Sequence, residues 1–156
     1  MKGTLLQIVL GLGLATGFLC APGSAGATLG LSTSSIAQDR AALSAVSRGT
    51  TRHAAHAVHE IASDATTVRE FVTTSGTVFA VAWNGLVHPD LSVLLGSYHS
   101  DYQSAKAGLQ RRHGQRFRQV QGNRVVVETW GHMRKLQGRA YVNDLIPAGV
   151  DLNEIR

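Results

Sequence analysis

Cysteine is almost missing from this chain: Cys20 is the only one, and it falls in a segment that reads as a leader. Lys2 supplies a short positive start, and residues 5–18 are uncharged and mostly apolar. Small residues then lead to Ala25-Gly26-Ala27, an A-x-A site for cleavage after Ala27. Residues 1–27 are therefore expected to be a signal peptide and the mature protein to begin at Thr28. Without a thiol, the mature chain is denied disulfides, cysteine-metal sites and cysteine nucleophiles. A lipid anchor at Cys20 is disfavoured because the bulky Leu19 precedes it.

Long apolar runs are missing too. Ala21-Pro22-Gly23-Ser24 breaks the leader before it reaches the roughly 20 residues needed to cross a bilayer, and no later segment comes near that length. No transmembrane segment is expected in the mature chain. The strand-like runs are too few and short for an outer-membrane barrel. No G-x-S-x-G elbow follows the leader, and the GLGLATG run lies inside it, where it cannot act as a phosphate loop. Aromatic residues make up only 6% of the chain, too few for a platform on which successive bases stack. Nucleic acid is not an expected partner. The expected location is outside the cytoplasm, periplasmic or secreted.

Acidic residues are absent between Asp101 and Glu128, whereas Lys106, Arg111, Arg112, Arg116, Arg118 and Arg124 all fall there. The chain holds 15 Lys+Arg against 10 Asp+Glu, so its cationic character is local. In the run RRHGQRFR, Arg111, Arg112, Arg116 and Arg118 are candidates for gripping phosphates or carboxylates by bidentate contacts. The plainer reading is a solvated hairpin loop whose charge aids solubility.

Residues 28–52 read as a flexible start with a short helix over 36–46, capped by Ser34 or Ser35 with Asp39 in its first turn, followed by a polar linker over 47–52. Residues 53–156 read as a single domain. Strands are expected over 55–61, 67–72 and 77–83. In the second, Val68, Glu70 and Val72 share one face, and Thr67, Arg69 and Phe71 the other. The third, TVFAVAW, has no charge on either face and reads as a central strand. Asp90 is the expected cap of the main helix, where Leu91, Leu94, Leu95, Tyr98, Tyr102 and Ala105 recur at spacings of three and four. Gly108 is its expected stop. Strands over 124–130 and 139–142 follow, with 117–120 paired to the former as a hairpin, and residues 150–156 form a tail capped by Asp151. Short connections favour antiparallel pairing. The expected class is α+β: an antiparallel sheet of about five or six strands, one main amphipathic helix and a short N-terminal helix.

The runs VREFV, SGTVFAVAW, PDLSVLLGSY, VVVETWGHMR, GRAYV and LIPAGV, in that order, resemble the bacterial domain-of-unknown-function family 2844, over residues 58–155. The resemblance implies a small exported protein of one domain and supplies no mechanism. The loop RRHGQRFRQVQGN departs from it.

Two histidine groups are candidate sites. His53, His56 and His59 are spaced H-x-x-H-x-x-H. On the expected strand His56 and His59 point to opposite sides and cannot share one ion without a bulge. His59-Glu60 begins like H-E-x-x-H, but Ser63 stands where the second histidine belongs. His132 follows Trp130-Gly131, with Glu128 four residues earlier and Met133 beside it. Glu128 and His132 are candidates for acid–base work, and His56, His59 and His132 for metal binding with N/O ligands. The plainer reading is a turn in which Met133 and Trp130 fill the core. No metal or cofactor is expected. The favoured function is a non-enzymatic exported domain binding an envelope component or a protein partner, with anionic contact through the basic loop. The alternative is a small metal-binding protein or hydrolase-like enzyme centred on His132 and Glu128.

Overall fold

A computed structural model describes residues 29–110 and 114–156. The expected leader lies outside the described residues, as do Arg111 and Arg112. The sheet has seven strands, all paired antiparallel: β1 Val46–Arg52, β2 His56–Ala62, β3 Thr66–Thr73, β4 Val78–Gly85, β5 Phe117–Gln121, β6 Val125–His132 and β7 Lys135–Val142. Their order across the sheet is β1-β2-β3-β4-β7-β6-β5. The uncharged run becomes β4, the middle strand, and its first six residues are all buried. The α+β class stands, with seven strands in place of five or six.

The added strand is β1, where a linker was expected. All seven of its residues are exposed, so it shows none of the apolar alternation by which a half-buried strand is recognised. It is an edge strand, and a register shift between Ser47 and Gly49 leaves Arg48 bulged. A bulge and two arginines on an open edge oppose pairing with another chain. The start of the described chain is also tied down. Leu29 is 1% exposed, Gly30 N donates to Val78 O, and Val78 N donates to Leu31 O. The short helix, α1 Ser35–Ala42, ends four residues earlier than expected, just before Ser44 at φ +49°.

Among the described residues the α-helices pack on one face of the sheet. The expected main helix is split into α2 Leu91–Leu95 and α3 His99–Ala107 by a tighter turn over Gly96–Tyr98. Asp90 caps α2, its Oδ1 accepting from Ser92 N at 2.8 Å. Leu94, Leu95 and Tyr102 pack with Ile61, Val68, Val81, Trp83, Val127 and Ala140 to form the larger core. Glu70 lies on this covered face of β3 and is fully buried.

The other face is covered in part by the C-terminal tail. Ile155 is fully buried with Phe71, Phe79, Ala80, Ala82, Val126 and Tyr141. The small side chains of Ala80 and Ala82 leave a shallow seat in mid-sheet, and Ile155 fills it. Asp151 caps the last turn as expected, accepting from Asn153 N at 2.9 Å. No helix among the described residues is long and apolar enough to cross a membrane.

Candidate binding face

On the face away from the helices, side chains of six strands fall in one cross-sheet row. Glu60 on β2 is opposite Arg69 on β3, Arg69 opposite Ala82, Ala82 opposite Arg139, Arg139 opposite Glu128, and Glu128 opposite Gln119. Directly opposite positions in an antiparallel pair project from the same face, so opposite charges there meet. Arg69 Nε donates to Glu60 Oε2 at 2.8 Å, and Arg139 Nε to Glu128 Oε2 at 2.6 Å. The second pair is much the more buried, with side chains 17% and 8% exposed. Each arginine also holds the tail: Arg69 Nη1 donates to Arg156 O, and Arg139 Nη1 to Leu152 O.

Two depressions flank the tail on this face, and Arg156 borders both. The larger, of ≈600 Å³, is a trough along β2. Its floor is Val58 and Phe71, which are opposite each other in the sheet. Arg48, Gly49 and Thr51 of the edge strand form one wall, and Glu154 and Arg156 of the tail form the other. Glu60 and Arg69 stand at one end, His53 and His56 at the other. Arg48 and Arg156 have no carboxylate partner among the described residues.

The two histidine rings stack, with centroids 4.6 Å apart and planes 16° from parallel. His56 also lies against Phe71 and Phe79 and is 5% exposed. Among the described residues its Nδ1 has no hydrogen-bond partner. Burial, and next the neighbouring His53, lower its pKa, and Glu154 opposes them in part. Above its ordinary 6.5 His56 is thus an uncharged aromatic wall for the trough, and the exposed His53 is its open side.

The sequence-derived candidates are dispersed. His59 faces the opposite side of β2 from His56, as expected, and its Nδ1 lies 3.0 Å from Thr50 Oγ1. Burial, and next Arg52, lower its pKa. Glu128 does not orient His132. Its carboxylate is taken up by Arg139, by Gln119 Nε2 at 3.2 Å and by Tyr141 Oη at 3.4 Å. Burial, and next the charge of Glu128, raise the pKa of Tyr141 and keep that hydroxyl a donor. His132 is exposed at the β6–β7 hairpin, which turns through Met133 at φ +51°. Gly131, at φ +103°, sits where a Cβ would strike Lys135 O. Met133 is 86% exposed and fills no core. Trp130 is half-buried on the tail-side face, its Nε1 donating to Gln137 Oε1 at 3.1 Å. Among the described residues no three His, Asp or Glu side chains cluster as metal ligands.

Two cations of the basic window lie over aromatic rings. Arg124 lies over Tyr98 at 4.8 Å and Lys106 over Tyr102 at 5.3 Å. Arg116 is exposed before β5, and Arg118 is half-buried on the helix-side face. The trough was missed in the sequence because Arg48, Val58, Phe71 and Arg156 are far apart in the chain. The available signal was the alternation His56-Val58-Glu60 against Arg69-Phe71, whose opposed charges pair the two strands in this register.

These features define an α+β domain with one antiparallel sheet, helices on one face and a charged, partly open second face. Residues 25–155 match the family described as Protein of unknown function (DUF2844), and the chain belongs to that family. No curated protein and no solved structure matches the chain.

Proposed function

We propose that this protein is an exported, non-enzymatic binding domain of the cell envelope, periplasmic or secreted, and that it binds through the tail-side face of its sheet. Export rests on the leader reading of residues 1–27. The observation that carries the binding role is the ≈600 Å³ trough, where an apolar floor lies between unpaired arginines and stacked histidines. Ligand sites characteristically combine apolar walls with a few polar groups that fix orientation. The enzymatic or metal reading has less support, since Glu128 is engaged by three other side chains and His132 stands apart on a turn. Anionic contact through Arg111, Arg112, Arg116 and Arg118 is the competing binding surface.

Native mass spectrometry of the protein purified from its own envelope fraction without chelators tests this. A bound mass is expected that Thr51→Trp, which fills the trough, removes and that Arg116→Glu/Arg118→Glu leaves in place. A mass lost with the loop variant instead transfers binding to the basic loop. A mass lost on adding chelator or with His132→Ala restores the metal reading.

A further inference from the structure

The charges of the trough are distributed unevenly, and this names a class of ligand. Gly49 is opposite Glu60 and Thr51 opposite Val58, so bulged Arg48 belongs to the Glu60–Arg69 end. Arg156 is drawn to the same end by the bond from Arg69 Nη1 to its carbonyl. At that end Arg69 is engaged by Glu60 through Nε and by the Arg156 main-chain oxygen through Nη1, which leaves the guanidinium groups of Arg48 and Arg156 as its cations without an ion-pair partner among the described residues. The middle is apolar, floored by Val58 and Phe71. The far end holds His53, neutral His56 and Glu154. From His56 to Glu60 the strand runs about 13 Å, the length of a small molecule with a head and a body.

We infer that the trough binds an organic anion with an apolar body, its carboxylate or phosphate at the Arg48–Arg156 end and its body along Val58 and Phe71 toward His53. The inference rests on the proposed binding role and adds the ligand's chemistry. Arg48 and Arg156 supply planar donor forks that fit a carboxylate or phosphate bidentately. The apolar body supplies the burial that charge alone, in an open trough, does not. Inorganic phosphate satisfies only the first requirement and a neutral alcohol only the second.

The test is an NMR titration of the mature chain with 4-phenylbutyrate, octanoate, 4-phenylbutan-1-ol and inorganic phosphate in parallel. Both carboxylates are expected to shift the amides of Arg48, Thr51, His53, Val58 and Glu60 saturably, with the alcohol and phosphate at least tenfold weaker. Arg48→Glu/Arg156→Glu is expected to weaken the carboxylates tenfold or more, and Arg118→Glu not at all. Thr51→Trp, an exposed substitution checked for folding by circular dichroism, is expected to abolish the shifts. A better response to octanoate than to 4-phenylbutyrate assigns an aliphatic body, and the reverse an aryl one. Equal binding of the alcohol removes the anion from the proposal, and equal binding of phosphate removes the apolar body. The absence of saturable shifts with either carboxylate at about 1 mM overturns it. The binding role itself then still stands if Thr51→Trp removes a neutral mass from the envelope-purified protein.

Discussion

Arg69 and Arg139 flank Ala82 in one cross-sheet row, each with a glutamate on its outer side, and each donates to a carbonyl of the C-terminal tail. The arrangement makes the last residues part of the binding face. The small Ala82 lets Ile155 reach the sheet, and the two guanidinium groups fix the backbone on either side of it. The tail is thereby held as the wall that divides the two depressions, with Arg156 bordering both.

The two pairs are alike in register and unlike in burial, so their energies should differ. Arg139→Met leaves Glu128 buried without its counter-charge and is expected to cost about 3–5 kcal/mol. Arg69→Met breaks a pair whose side chains are 32% and 36% exposed, and is expected to cost about 0–1 kcal/mol. The double variant Glu128→Gln/Arg139→Met should recover part of the first loss. Urea unfolding of the four proteins checks this, and equal losses at the two arginines would contradict it.

Ile155→Ala should cost about 2–5 kcal/mol, because a fully buried side chain is lost from the seat over Ala80 and Ala82. Limited proteolysis should then cut the tail faster than in the parent. A tail that is no easier to cut would mean that the two arginine–carbonyl bonds hold it unaided.

The central architecture was legible in the sequence and its margins were not. β4 is marked by an unbroken uncharged run and α2 and α3 by an apolar stripe at spacings of three and four, because the strand is buried on both faces and the helices on one. β1 carries none, since an exposed edge strand is held by its backbone bonds to β2. The tail-side face was equally hard to foresee. Arg69, Glu128 and Arg139 look like ordinary surface charges until the register sets each beside its partner. The Glu128–His132 pairing was spoiled by two local facts: Arg139 lies directly opposite Glu128, and the chain reverses at Met133.

Asp101 holds the β5–β6 turn. Its carboxylate accepts from Asn123 N at 3.0 Å, Arg124 N at 2.9 Å and Val125 N at 3.4 Å. A Cβ on Gly122 would lie 2.5 Å from Asp101 Oδ2. Asp101→Ala should cost about 1–2 kcal/mol, and Gly122→Ala should also destabilise, by forcing the carboxylate off these amides. The bonds from Arg124 and then Asn123 lower the pKa of Asp101 from its ordinary 3.8. Its contribution is therefore present above 3.8 and lost as pH falls through the lowered value. The stability gap between parent and Asp101→Ala should close over that acid range, as read by urea unfolding at stepped pH. A gap constant with pH would show that the carboxylate charge is not what holds the turn.

His88 and Trp83 supply a pH-dependent contact on the other side of the sheet. Trp83 Nε1 donates to His88 Nδ1 at 2.9 Å, which requires that nitrogen to be unprotonated. Burial lowers the pKa of His88 from its ordinary 6.5. The folded state thus disfavours the charged ring, so this contribution is complete above 6.5 and is lost as pH falls from there through the lowered value. His56 and His59 are shifted in the same direction and add to the trend. NMR can follow the contact directly because the chain has two tryptophans. The Trp83 indole N–H signal should move with a midpoint below 6.5, while that of Trp130, bonded to the non-titrating Gln137, stays in place. In His88→Gln the side-chain carbonyl can still accept, so the Trp83 signal should persist and lose its pH dependence. A Trp83 signal that still titrates in that variant would place the responsible group elsewhere.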